Sequence, residues 1–186
     1  MPATQSPKDP ENEASASASA SGVVVVGVTP DQPPRVLKVA AKHAALLGVP
    51  LMIVNVDVMR FVTYEDPDGS VHSAPLDADI DTGADDLAAV TAQATALLDG
   101  HDVVWSVQQV VGDPALALKK VAEQRDARLI VVGTRRRGFG ESVREFFTGS
   151  VAARLAHRQT RPVLVVPLGE PVPDDEDIPW EDAAEK

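Results

Sequence analysis

The chain has 186 residues, is 44% hydrophobic but only 4% aromatic, and carries a formal net charge of −11; this length suits one domain, or one domain with tails, at ~150 residues per domain. Zero cysteines exclude disulfides, thiolate nucleophiles and Cys-based zinc or iron–sulfur sites, and suit a reducing compartment, with the cytoplasm as the default. The N-terminus lacks the basic start and apolar core of a signal peptide, and no apolar run approaches the ~20 residues of a spanning helix, so no membrane partner is expected.

Residues 1–21 read as a flexible Ala/Ser-rich leader with nothing to bury, so the ordered domain is expected over 22–168. Its first strand is VVVVGV (23–28). A helix is predicted after Asp31, with Pro33 and Pro34 in its opening turn and a stop at Gly48 before Pro50. LMIVNV (51–56) is the second strand, and residues 58–80 read as a long connection of the kind used for lids or partner surfaces, with Phe61 and Tyr64 anchoring it rather than stacking on a base. Leu87, Val90, Ala94 and Leu97 then recur at helical spacing up to Asp99-Gly100. The third run, VVWSVQQVV (103–111), is broken by Ser106, Gln108 and Gln109, as expected of an edge or half-exposed strand. Asp113-Pro114 opens the next helix with a capping residue and an N1 proline. LIVV (129–132), a helix from Gly149-Ser150 and VLVV (163–166) complete the alternation, and the acidic, proline-broken 169–186 reads as a disordered tail. Strand and helix alternating throughout imply a doubly wound α/β domain with a five-stranded parallel sheet.

Charge is unevenly spread along this plan. Residues 1–21 hold −2 and 170–186 hold −7, leaving −2 for 22–169. Inside that middle, Asp57 to Asp102 has eleven acids against Arg60 alone, whereas Arg135 to Arg161 has seven arginines against Glu141 and Glu145. The acidic balance argues against nucleic acid, while a local arginine cluster can attract a small anion within a screening length of about 8 Å. In doubly wound sheets ligands bind beyond the C-terminal strand ends. The candidate contacts are therefore Thr29-Pro30-Asp31, Asp57 onward, and the Gly/Arg-rich stretch within VVGTRRRGFGESVREFFTGSVAARLAHR (131–158). Such a loop feeding a helix N-terminus presents backbone N–H groups and the helix dipole to an anion.

Three stretches, VVVVGVTPDQPPRVLKVAAKHAALLGVPLMIVNV, VVGDPALALKKVAEQRDARLIVVGTRRRG and GSVAARLAHRQTRPVLVVP, resemble the universal stress protein (UspA-like) family from Val23 to Pro167. The resemblance implies a Rossmann-like, adenine nucleotide alpha hydrolase-like sheet in the order 3-2-1-4-5. It also implies a cytoplasmic stress-response homodimer paired through the fifth strand (Val163, Leu164, Val165, Val166). Part of the family binds an adenine nucleotide, ATP or AMP, with magnesium as an optional companion, and no catalytic turnover is implied. The nucleotide motif of the family, Gly-x2-Gly-x9-Gly-Ser/Thr, transfers in part. Gly133 matches its first glycine and Gly149-Ser150 its last pair, but Arg136 stands at the second position and the loop is three residues longer. Gly138 and Gly140 are candidates for the missing glycine, and Thr29 replaces the usual aspartate at the end of the first strand, with Asp31 two residues on. The candidate nucleotide contacts are therefore Thr29, Asp31, Val56, Gly133, Arg135, Arg136, Gly138, Gly140, Gly149, Ser150 and Val151. Exposed charge–dipole contacts at a helix start are worth only ~0.3–1 kcal/mol each, so arginines among 135, 136, 137 and 144 are needed over the phosphates. The competing reading is that Gly149-Ser150 simply caps its helix.

Asp77, Asp79 and Asp81 have the spacing of a calcium-loop start, but Thr82 and Ala88 stand where that loop needs Gly and Glu, so a solvated acidic lead-in is expected. His43, His72, His101 and His157 form no metal-ligand pair, and no Gly-x-Ser-x-Gly elbow exists, so neither a metal site nor a hydrolase is assigned. Ile178-Pro179-Trp180 reads as part of a disordered tail. The expected function is nucleotide sensing or regulation without dedicated catalysis. Its alternatives are a dimerisation or adaptor module that binds no nucleotide, and an ATP hydrolase dependent on Ser150 or Arg136.

Overall fold

A computed structural model describes residues 21–67, 70–75, 83–134 and 150–169. Its elements in chain order are β1 (Val23–Val28), α1 (Arg35–Leu47), β2 (Leu51–Asp57), β3 (Arg60–Glu65), β4 (Val71–Pro75), α2 (Gly83–Leu98), β5 (Trp105–Val111), α3 (Pro114–Gln124), β6 (Ala127–Gly133), α4 (Val151–Arg158) and β7 (Val163–Val166). Five strands form one sheet in the order β5-β2-β1-β6-β7, every neighbouring pair parallel. Numbered among themselves, these are strands 3-2-1-4-5. No helix among the described residues is long and apolar enough to cross a membrane.

Continuous apolar runs are required because both faces of the sheet are covered. Side chains alternate along a strand, so Val24 and Val26 pack with Leu51 and Ile53 against Val36, Ala40 and Ala44 of α1 and Val90, Ala94 and Leu98 of α2. Val25, Met52, Val54 and Ile130 face the other way, against Leu118, Val121 and Ala122 of α3 and Leu155 of α4. Each fully buried Val or Leu stabilises by roughly 1.5–3 kcal/mol relative to exposure, so the two layers together hold the helices on the sheet.

The structure also differs from the sequence reading in detail. Helix α1 begins at Arg35 behind Pro34, which supplies no side-chain cap, so Asp31 lies outside it in a turn where Gln32 N–H donates to the Thr29 carbonyl at 3.1 Å. Gly48 closes α1 in the left-handed conformation, at φ 64°. Leu98 is buried in α2, whereas Leu87 and Leu97 are half-buried. Strand β5 starts two residues later than expected, at Trp105, and lies at the sheet edge.

The connection expected over 58–80 contains an antiparallel hairpin, β3 against β4, with a register shift between Val62 and Tyr64. Phe61 and Tyr64 are 46% and 57% exposed, so neither anchors the segment in the core; Tyr64 lies instead 6.0 Å from the His72 ring across the hairpin. Lys120 of α3 holds Glu65 at 2.7 Å, tying the hairpin to the domain. Asp77, Asp79, Asp81 and Ile178-Pro179-Trp180 lie outside the described residues.

Candidate functional site

A cleft of about 770 Å³ opens at the C-terminal ends of β1, β2 and β6. Its walls are the β1–α1 turn (Val28 to Pro33), the end of β2 (Asn55 to Met59), Val132 to Thr134, and the first turn of α4. Strand order places it there: β1 sits between β2 and β6, and the connections out of β1 and β6 leave towards opposite edges of the sheet. Two glycines shape the interior. A Cβ at Gly27 would lie 2.9 Å from Leu118 Cδ1, so the leucine of α3 packs on bare backbone. A Cβ at Gly133 would overlap the Gln32 amide and crowd Leu168 and Val36.

Thr29, Asp31, Val56, Gly133, Ser150 and Val151, six of the predicted contacts, all border this cleft. Arg135, Arg136, Gly138, Gly140 and Gly149 lie outside the described residues. Ser150 is the N-cap of α4, with extended backbone (φ −73°, ψ 135°), and its Oγ accepts from Ala153 N–H at 3.0 Å. That oxygen serves its own helix, and the capping role is the one the structure gives it. The N–H groups of Val151 and Ala152, in the same turn, donate to nothing among the described residues.

The arginines expected at the mouth of the cleft, Arg135, Arg136, Arg137 and Arg144, lie outside the described residues, and the described walls are acidic. Asp31, Asp57 and Asp86 border the cleft, and no Lys or Arg does so among the described residues. Asp57 is 5% exposed and accepts from Met59 N–H at 2.9 Å. Asn55, 1% exposed, donates to the Val28 carbonyl at 3.4 Å and accepts from Gln109 Nε2 at 3.0 Å.

Arg154 is turned to structural use. Its guanidinium grips Asp113 with two hydrogen bonds, of 2.5 and 2.8 Å, while Asp113 also accepts from Leu116 N–H at the start of α3. The hydrogen-bonded guanidinium, helped by that N–H, holds the Asp113 carboxyl below its usual range against the opposing effect of burial. Two helices are thereby pinned start to flank, fixing the α4 turn beside the cleft. Gln32, a cleft residue that carries no sequence signal, sets its side-chain amide against Gly133.

The universal stress protein family model matches residues 22–167. The chain belongs to the universal stress protein family. Solved structures agree with this assignment. A universal stress protein in complex with cAMP is 25% identical, covering 81% of this chain and 100% of its own, with a TM-score of 0.55. A universal stress family protein from Burkholderia pseudomallei is 24% identical over 81% of this chain and 98% of its own, with a TM-score of 0.56. The universal stress protein from Archaeoglobus fulgidus in complex with dAMP is 21% identical over 79% of this chain and 98% of its own, with a TM-score of 0.52. The latter two show likeness of fold. No curated protein sequence matches the chain closely enough to count as a relative.

Proposed function

We propose that this universal stress protein binds an adenine nucleotide in the cleft above β1, β2 and β6, and acts as a sensor or regulator through altered association. The observation that carries the reading is the turn at Ser150. It brings the first N–H groups of α4 to a cleft bounded by three strand ends and large enough for a nucleotide. The 25%-identical relative in complex with cAMP supports the same ligand class. Three carboxylates on the walls favour a ligand with few negative charges, AMP or a cyclic monophosphate, over ATP unless magnesium accompanies it. Arg135, Arg136 and Arg137 are the groups proposed to close over the phosphate.

Titration calorimetry of the purified chain with AMP, cAMP, and ATP with and without magnesium tests the reading. The expected order is monophosphates above magnesium-free ATP. Absence of heat at millimolar ligand leaves the same fold acting as a dimerisation or adaptor module. Catalysis is not part of the proposal: multiple-turnover phosphate release from ATP, abolished by Ser150→Ala or Arg136→Ala, would replace it with a hydrolase.

For association we propose pairing of β7 with its twofold mate. Among the described residues the strand has β6 on one side alone, and Val165 is 41% exposed between half-buried Leu164 and buried Val166. An apolar edge of this kind calls for a cover. Val165→Asp is expected to convert a dimer to a monomer by light scattering; a wild-type monomer at all concentrations removes the proposal.

A further inference from the structure

Gln32 borders the cleft just beyond β1, and its amide is held in one orientation. Thr29 N–H donates to Oε1 at 3.1 Å. Because a backbone N–H needs an acceptor, the other end of that amide has to be the NH2 group. The main chain is clamped as well: Gln32 N–H donates to the Thr29 carbonyl at 3.1 Å, and Gln93 Nε2 of α2 donates to the Gln32 carbonyl at 3.1 Å. Nε2 rests against Gly133, where a Cβ would overlap it, so the glycine makes room for this amide.

Among the described residues nothing in the chain accepts from Gln32 Nε2. The other polar side chains around it do different work. Asn55 is committed to Val28 and Gln109, Ser150 Oγ caps α4, and Asp31, Asp57 and Asp86 are carboxylates, which accept hydrogen bonds rather than donate them. A donor with no partner among the described residues, fixed in direction on a cleft wall, is placed to read a ligand.

We propose that Gln32 is a specificity-determining residue of this cleft, its Nε2 donating a hydrogen bond to an acceptor atom of the bound nucleotide beside Gly133. The inference rests on the nucleotide reading above and adds to it the residue that selects an acceptor at this point. Such an acceptor is either a phosphate oxygen or an atom of the nucleoside, and comparing AMP with adenosine separates the two.

The test uses the full chain with Gln32→Glu and Gln32→Met, titrated with AMP and adenosine. Glutamate keeps an acceptor for Thr29 N–H but exchanges the donor for a carboxylate oxygen. Methionine keeps the length, adds no charge and removes both functions. Both variants are expected to bind AMP roughly tenfold or more weakly, the scale of a lost hydrogen bond to a charged or buried group. Adenosine follows AMP if the acceptor is on the nucleoside, and is unaffected if it is on the phosphate; unfolding midpoints close to wild type locate the loss in binding. Wild-type affinity in Gln32→Glu overturns the assignment, because the side chain then only closes the Thr29 turn. Wild-type affinity in Gln32→Met overturns it too, because any loss in the glutamate variant is then charge repulsion. A wild-type chain that binds neither ligand removes the nucleotide reading and this assignment together, whereas wild-type binding with either variant unchanged removes the assignment alone.

Discussion

The two flanks of the cleft are held by different chemistry. On the α3–α4 side a charged pair, Asp113 with Arg154, joins the start of one helix to the flank of the next. On the β1 side the chain Gln93–Gln32–Thr29 is entirely neutral. Each charge of the first pair answers the other, so the pair fixes position without presenting a net field to the cleft. The amides of the second keep directional donors available for a ligand. Scaffolding and recognition are thus divided between an ionic side and a neutral one, and the two sides should respond differently to substitution, acid and salt.

The largest effect is expected on the ionic side, at the residue that seats α4. Leu155 is the buried residue of that helix, and Leu155→Ala should cost about 2–5 kcal/mol of stability, measured by chemical unfolding, because a cavity opens under a short helix with few other apolar contacts. Gly133→Ala probes the neutral side: with Leu168 and Val36 crowding the added methyl at 2.9 and 3.0 Å, a loss of about 1–3 kcal/mol is expected, together with displacement of Gln32. Equal unfolding midpoints for this variant and wild type would show that the wall is softer than its packing implies.

Asp113→Ala removes a helix cap and strands Arg154. The cap alone is worth about 0.5–2 kcal/mol, and the partly exposed ion pair adds at most about 1 kcal/mol. Acid separates the flanks further. Since the folded-state Asp113 carboxyl titrates below its unfolded value, its contribution is fully present above that unfolded value, near 3.9, and disappears as pH falls through the lower folded one. Wild type should therefore lose its advantage over Asp113→Asn below about pH 4 and keep it at neutral pH, as read from unfolding midpoints across that range. A pH-independent difference would assign the pair no electrostatic role. The smallest change is expected for Gln93→Leu, about 0.5–1.5 kcal/mol for one hydrogen bond on the neutral side, with no acid dependence.

Much of this arrangement was legible along the chain. Unbroken runs such as VVVVGV and LMIVNV can be buried on both faces only within a parallel sheet with helices on either side, and Asp113-Pro114 and Gly48 announce a helix start and stop through local chemistry. The hairpin of β3 and β4 lies within what reads along the chain as a long connection, although RFVTYE has β propensity and an Asp-Gly pair follows it. Its exposed faces carry no strong alternation, so the period-2 signal is weak. Within the cleft, Thr29, Gly133 and Ser150 were recognisable because they flank strand ends and a helix start. Gln32 was not, since a glutamine after an aspartate has no pattern of its own.

Local sequence determined what is local: which runs are strands, where helices begin and end, and which glycines break them, because propensity, capping and apolar periodicity act within a few residues. Tertiary structure alone decided that Arg154 answers Asp113 across 41 positions, that Gln93 reaches Gln32 across 61, and that Gly133 leaves space for an amide from another loop. Those outcomes depend on distances between elements, and such distances exist only after the two apolar layers have closed on the sheet.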